Sequence, residues 1–352
     1  MTAEIILGKK HVTRDSMPYI IAEIGVNHEG KLSQALELID LAKEGGADAA
    51  KFQTYKAEKL ASKYSPAYWD TKKEPTLSQF ELFKKYDSFN EKDYKKLANH
   101  CEDINIDFIS TPFDSEAVDY LEPIIPFYKI ASADITNKPM LKQIAAKNKP
   151  IVLSTGASNL NEIKEAVSII ESNGCKDYAL LHCVLNYPSS YENANLNMIK
   201  GLIEKFPKKI IGYSDHTIPD KKMMAVTSAW IKGAQIIEKH FTNDKSQKGN
   251  DHYHAMDVND LKTFRENIKF IKQLDGEYSK TNLESEVTAR KNARRSIVAL
   301  KNIDAGSYIT EELITCKRPN HGISPMCWDD IIGKKTTQNI DEDKPLQWDD
   351  FE

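Results

Sequence analysis

Short apolar runs alternate with amphipathic stretches through most of this chain. The runs "YIIAEIG", "DAAKFQTY", "DFISTPF", "FYKIAS", "PIVLSTG", "YALLHCV", "IIGYSDH" and "QIIEKHF" are rich in Ile, Val, Tyr and Phe, the residues that suit a pleated surface. Between them apolar residues return at helical spacing: Leu32, Leu36, Ile39 and Ala42 before Gly45-Gly46, and Ile163, Ala166, Val167 and Ile170 before Gly174. A last such face carries Leu261, Phe264, Ile268 and Ile271 and stops at Gly276. The alternation predicts βα units around a parallel sheet. Eight repeats in about 275 residues predict a (β/α)8 barrel.

After Gly276 the pattern changes. "EYSKTNLESEVTARKNARR" is charge-rich and without a clean period, so it reads as a linker. Beyond it "NIDAGSYITEELI" (Asn302 to Ile314) returns loosely as "NIDEDKPLQWDDF" (Asn339 to Phe351), which predicts a small domain with internal pseudo-symmetry. The expected division is a barrel over 1–276, a linker over 277–292 and a small domain over 293–352.

Barrels carry their reactive residues at the carboxyl ends of the strands. Placed there, the predicted strands present Glu23, Lys51 with Gln53, Ser110 with Thr111, Lys129 with Ser132, Ser154 with Thr155, His182, Ser214 with His216, and Glu238 to His240. Lys51 and Lys129, with hydroxyls from Ser132, Ser154 and Ser214, make a cationic, donor-rich pocket suited to a phosphate or carboxylate. His216 and His240, on neighbouring strands, can share one divalent cation and leave positions open for water and substrate, as a working Lewis acid requires. Asp215 and Lys239 stand beside them as candidates to orient the rings. Glu23 is the acid or base candidate. His182 is expected to pack with a satisfied ring nitrogen. "DHYHAMD" (Asp251 to Asp257) could chelate but follows the last strand and reads better as a substrate loop.

Composition narrows the setting. The 352 residues carry a formal charge of −4 with acids and bases interspersed, so no basic patch points to nucleic acid or an anionic membrane. The five cysteines are scattered, which fits reduced thiols and neither a disulfide framework nor a zinc site of paired cysteines. The opening "MTAEIILGKK" has too short an apolar run for a signal peptide, and no run of about 18 apolar residues follows. A cytoplasmic protein is expected.

The segments "IAEIGVNHEG", "KFQTY", "STPFD", "YKIAS", "LSTGAS", "HCVLNYP", "GYSDHT", "IEKHF" and "KRPNHGIS", in order from Tyr19 to Phe351, resemble the sialic acid synthase family. The resemblance implies a TIM barrel followed by an antifreeze-like (SAF) domain. It also implies condensation of phosphoenolpyruvate with an N-acylated hexosamine aldehyde such as N-acetylmannosamine. The implied cofactor is a divalent cation, Mn²⁺ first, with Mg²⁺ or Co²⁺ as alternatives. Matched motif by motif, the metal ligands fall on His216 and His240, and the phosphoenolpyruvate contacts on Lys51, Thr111, Lys129, Ser132, Ser154 and Ser214. Glu23 matches the catalytic carboxylate. The sugar contacts fall on Gln53, Asp134, Tyr187, Asp251 and, from the small domain of a partner in a domain-swapped homodimer, Arg318.

Four departures bear on the sugar. Leu185 stands where the neuraminate type has a phosphate-shell Asn, with Asn186 beside it as the replacement candidate. Phe52 stands where that branch often has His, and "SADIT" replaces a Ser-Gly-Glu-Cys run; the loop "KGNDHYHAMD" lacks a Gly-Pro-Asp opening. "GYSDHT" and "KRPNHGIS" look closer to the legionaminate branch, so legionaminate or pseudaminate is an alternative to neuraminate as product. A Schiff-base aldolase using Lys129 or Lys239, and a non-catalytic binding protein, are the rival readings.

Overall fold

A computed structural model describes residues 3–69, 71–249 and 251–352, and the chain divides after Leu274 into two compact units. The first begins with a hairpin that the sequence reading missed, β1 (Glu4–Leu7) and β2 (Lys10–Thr13). Its strands are too short for a period of two to stand out. The two-residue turn is opened by Gly8 at φ +56°, where any Cβ would run into the Asp107 carboxylate.

Each predicted apolar run then forms a strand: β3 (Tyr19–Gly25), β4 (Ala49–Thr54), β5 (Asp107–Pro112), β6 (Tyr128–Ile130), β7 (Ile151–Ser154), β8 (Tyr178–Cys183), β9 (Ile211–Asp215) and β10 (Ile236–His240). Their hydrogen-bonded order is β5-β4-β3-β10-β9-β8-β7-β6, the neighbours pair in parallel, and β5 packs against β6 at the remaining seam. The result is the expected, nearly closed barrel. Helices lie between the strands, including Leu32–Gly45 and Leu160–Ser172, and a last one, Val258–Asp275, follows β10; they bury the apolar faces read from their spacing.

The period of two along each strand sorts the interior from the helix layer. Tyr19, Ile21, Ala49, Ile109, Phe127, Val152, Ala179, Leu181, Ile210 and Ile236 form one cluster with Ala3, Ile5, Leu7 and Val12, so the hairpin plugs the amino-terminal end of the barrel. The residues between them, such as Ile20, Ala50, Tyr128 and Tyr213, pack into the helix layer. The interior is filled. At Gly212 an added Cβ would lie 2.4 Å from both Leu181 Cδ2 and the Ile236 carbonyl oxygen, which explains the glycine in the middle of an apolar strand. With its amino-terminal half packed with apolar side chains, the barrel leaves open only its carboxyl-terminal end.

The second unit contains the antiparallel pair β11 (Ser296–Ala299) and β12 (Ile314–Lys317). The sequence repeat is a structural one. Ile303 and Ile340 exchange two backbone hydrogen bonds of 2.9 Å, Asn302 Oδ1 accepts from Glu342 N at 2.8 Å, and Asn339 Oδ1 accepts from Ala305 N at 2.8 Å. Each Asn thus caps the turn three residues into the other copy. The polar stretch read as a linker contains a short helix, Val287–Ala293, with no buried residue. No helix among the described residues is long and apolar enough to cross a membrane.

Candidate active site

Continuing the interior parity toward the carboxyl ends of the strands brings Glu23, Lys51, Gln53, Thr111, Lys129, Ser154, Cys183, Ser214, Glu238 and His240 inward. Ser110, Thr155, His182, Asp215 and Lys239 have the other parity. Ser110 Oγ meets Thr54 Oγ1 at 2.6 Å, and Thr155 donates to the Leu181 carbonyl at 2.9 Å. His182, as expected, spends a ring nitrogen on the Ala194 carbonyl, 2.8 Å away. Asp215 and Lys239 do not orient the metal candidates. They pair with each other at 2.7 Å, both buried, and Asp215 also accepts from Tyr213 and Thr217. Lys239, unlike Lys129, is not among the residues that line the cavity at the open end of the barrel.

The inward charges form one chain of contacts. Lys51 ion-pairs with Glu23 Oε2, lies 3.9 Å from Glu238 Oε2 and donates to Thr111 Oγ1 at 3.3 Å. Gln53 donates to the other Glu23 oxygen at 2.9 Å. Lys129 Nζ is 3.2 Å from Glu238 Oε1, and Ser214 donates to that same oxygen at 2.9 Å. Glu238 is therefore the hub. The sequence reading placed it in the ring and gave it no role.

All four ionised groups are buried, which sets their protonation. Burial raises the Glu23 pKa; Lys51 pulls it down and Glu238 pushes it up, and the net shift is upward. For Glu238 burial also acts upward, but the Lys129 and Lys51 cations together outweigh it and hold the carboxyl below its ordinary value. Burial pushes the Lys129 amine down, with Glu238 opposing. With two cations balanced by two carboxylates, an entering anion would gain the lysines at the expense of their present partners. Ser154 Oγ, buried with no hydrogen-bond partner, is a further donor awaiting an acceptor.

His240 has candidate co-ligands besides the expected His216. His240, Asp251 and His254 bring one ligand atom each within 4.8 Å of one another, and His240 Nδ1 is 3.5 Å from Asp251 Oδ2. The loop "DHYHAMD" therefore does contribute candidate ligands, which the substrate-loop reading passed over. Its His252 instead joins Glu29 at 3.0 Å and Thr242 at 2.7 Å. The His216 ring centroid is 5.5 Å from that of His240, a separation two imidazoles can show around one ion with nitrogen ligands at roughly 2.1 Å. His216 Nδ1 donates to the Val184 carbonyl at 2.8 Å, so in the neutral ring Nε2 carries the lone pair. Burial lowers the His216 pKa, but Cys183 and the Val184 carbonyl outweigh it and the net shift is upward. Burial, with the His254 and His216 rings next, lowers the His240 pKa well below its ordinary value and keeps that imidazole neutral. A cluster of neutral imidazole and carboxylate donors fits a divalent transition ion.

A cavity of about 470 Å³ is lined by most of the predicted site residues, from Glu23, Lys51, Gln53 and Thr111 through Lys129, Ser132, Asp134 and Ser154 to Tyr187, Ser214, His216 and His240. Asp134 gives one oxygen to Asn137 at 3.1 Å and keeps the other buried without a partner, and burial raises its pKa. Asp251 lines a smaller adjoining pocket. Leu185, not Asn186, lines the cavity among the described residues; the Asn186 backbone turns into hydrogen bonds with Val184 and Ser189. Arg318 belongs to the second unit, directly after β12. Cys183, unremarked in the sequence reading, lies 3.8 Å from His216 Nδ1.

The NeuB family profile matches residues 38–280 and the SAF domain profile matches 294–352. The N,N'-diacetyllegionaminic acid synthase of Campylobacter jejuni is 40% identical, over 93% of this chain and 98% of its own. The N-acetylneuraminate-9-phosphate synthase of Drosophila melanogaster is 32% identical over 93% of this chain and 94% of its own. Among solved structures, N-acetylneuraminic acid synthetase from Leptospira borgpetersenii in complex with citrate superposes with a TM-score of 0.71 at 33% identity, covering 82% of this chain and 95% of that one.

Proposed function

The chain belongs to the NeuB family, and from that premise we propose that it joins phosphoenolpyruvate to the aldehyde of an N-acylated hexosamine, giving a nonulosonic (sialic-type) acid and phosphate. The observation that carries this reading is the single cavity in which Lys51, Lys129, Glu23, Glu238 and His240 meet at the open end of the barrel. In it, Lys51 and Lys129, with Thr111, Ser132, Ser154 and Ser214, take the carboxylate and phosphate oxygens of phosphoenolpyruvate through charge-assisted hydrogen bonds.

The methylene carbon of phosphoenolpyruvate then attacks the aldehyde carbon, its C=C electrons forming the new C–C bond. The C=O π pair moves onto the aldehyde oxygen, water adds to the carbon that bears phosphate, and Glu23 takes the proton of that water and passes it to the new alkoxide. The O–H of the tetrahedral adduct then gives up its proton as the keto group forms and phosphate leaves by C–O cleavage. Lys51 and Lys129 hold their charge where the phosphate and carboxylate sit throughout, so their field needs no rearrangement as the bonds change. A divalent cation held by His240, with Asp251 and His254 or with His216, would supply Lewis-acid polarisation of the aldehyde oxygen, and imidazole donors suit a transition ion such as Mn²⁺ or Co²⁺ better than Mg²⁺.

The small pocket beside His240 also bears on the acceptor. Among the described residues that line it none is Lys or Arg, whereas Glu29 and Asp251 are both carboxylates. With no Lys or Arg to take it and the Glu29 carboxylate opposing it, a phosphate at the far end of the sugar is disfavoured there, which favours an unphosphorylated acceptor such as the diacetamido-deoxy relatives of N-acetylmannosamine. Phosphate release from phosphoenolpyruvate, measured with N-acetylmannosamine, its 6-phosphate and a diacetamido-deoxy analogue, tests the reading. Release is expected with an unphosphorylated sugar, lost on chelation and restored by Mn²⁺. Absence of release with every sugar, or full activity in chelator, would sink it.

A domain-swapped homodimer in which Arg318 of one protomer serves the sugar site of the other is part of the same proposal. Mixed Arg318→Ala and Glu23→Ala proteins should then recover part of the activity, because one site of the heterodimer holds both residues. Confirmed subunit exchange with no recovery would place the whole site within one chain.

A further inference from the structure

The small pocket, about 90 Å³ in volume, shares Gln53, Tyr68, Phe83, Tyr187 and His240 with the main cavity and adds walls of its own. Trp69, Leu82 and Tyr86 cluster there with Val26. The Tyr55 ring is held edge-on by Phe83 at 5.4 Å and by Phe113 at 6.2 Å. Polar groups from Asn27, Glu29, Asp251 and His252 also line it, and among these aromatic and aliphatic walls the Tyr55 hydroxyl has no partner. Tyr55 is only 6% exposed, and its hydroxyl is buried with no hydrogen-bond partner. Burial pushes its pKa far up, so the group stays a protonated donor.

An unpaired buried hydroxyl is a standing cost that folds rarely carry without a use. The neighbouring polar groups do not relieve it: Asn27 donates to the Phe241 carbonyl at 3.0 Å, and Glu29 is taken by His252 at 3.0 Å. The volume is about a fifth of the 470 Å³ of the main cavity, which suits a side group of the sugar better than the whole sugar. The lining offers an anion no Lys or Arg, and the Glu29 carboxylate opposes one. What fits is small, uncharged, mostly apolar, and ends in one acceptor.

We propose that this pocket is a subsite for a second, uncharged acylamino group of the acceptor sugar, with the acyl methyl against Trp69, Leu82 and Phe83 and the acyl carbonyl oxygen accepting from the Tyr55 hydroxyl. This rests on the condensation proposed above, because it is the sharing of Gln53, Tyr187 and His240 that sets the pocket at the sugar end of the reaction cavity. A sugar with a hydroxyl at that position leaves the apolar wall uncovered and binds less well.

The test compares N-acetylmannosamine with a diacetamido-deoxy analogue, in wild-type protein and in Tyr55→Phe, which keeps the ring contacts and removes only the donor. Loss of one hydrogen bond between neutral groups should raise KM for the diacetamido sugar roughly 3- to 10-fold and leave that for N-acetylmannosamine unchanged. Leu82→Phe, which fills the pocket, should discriminate against the diacetamido sugar more strongly still. Equal losses for both sugars, or no loss for the diacetamido sugar in either variant, would overturn the subsite. Calorimetric binding of the same sugars separates the two readings. Selectivity that disappears in Tyr55→Phe without any phosphate release retains the subsite and removes the condensation, while phosphate release with unchanged selectivity does the reverse.

Discussion

Glu23→Gln protein is expected to bind phosphoenolpyruvate and release phosphate roughly 10²- to 10⁴-fold more slowly than the wild type, the range that removal of a general acid or base covers. The substitution keeps the shape and the acceptor that Gln53 uses at 2.9 Å, and takes away the ability to accept a proton. Binding should survive because Lys51 keeps Thr111 and Glu238 as neighbours, so KM for phosphoenolpyruvate should move far less than kcat. The pH profile gives an independent sign. Burial raises the Glu23 carboxyl above its ordinary value, and a base must be ionised to work, so wild-type activity should fall on the acid side at a pH above the usual carboxylate range. In Glu23→Gln that limb should vanish from the residual activity. An unchanged rate, or an unchanged acid limb in the variant, would take Glu23 out of the proton transfers and leave it as a partner of Lys51.

The strands, the barrel and the open end of the barrel were legible because strands buried on both faces read as continuous apolar runs broken by turn residues. That same property hid which strand-end residues face inward. "IIGYSDHT" shows no alternation of apolar and polar residues until its last four positions, so Ser214 and Asp215 look equivalent on the page. Counting by twos from the packed interior separates them, since Ile210, Gly212, Ser214 and His216 share one face while Tyr213 and Asp215 share the other. The count also separates Glu238 and His240 from Lys239, and Cys183 from His182. What no count along one strand can supply is the meeting of groups from different segments. Glu238 becomes a hub only when β6 and β4 bring Lys129 and Lys51 to it, and His254 reaches His240 through the loop that follows β10. The spacing of Asp251 and His254 within "DHYH" was the available signal for the latter.

Lys129→Met should cost both affinity and stability, and Glu238 is the reason the two can be told apart. As a ligand to phosphoenolpyruvate, Lys129 makes a charge-assisted contact, and losing it should raise KM for phosphoenolpyruvate roughly 10- to 100-fold. As a partner of Glu238 at 3.2 Å, it also neutralises a carboxylate buried among strand ends, and removing one member of a buried pair typically costs about 3–5 kcal/mol. Glu238 keeps Ser214 at 2.9 Å and Lys51 at 3.9 Å, so the loss should lie at the lower end, about 3 kcal/mol. The pH dependence of melting has a definite sign. The lysines hold the folded Glu238 carboxyl below its unfolded value, so their stabilisation is present above the ordinary carboxylate range and is lost as pH falls through the lowered folded value. Lys129→Met should therefore melt lower than wild type at neutral pH and approach it in acid. Adding Glu238→Gln removes the stranded charge and should recover most of the lost stability while leaving the raised KM in place. Recovery of KM together with stability would mean that Lys129 serves the fold and does not touch the substrate anion.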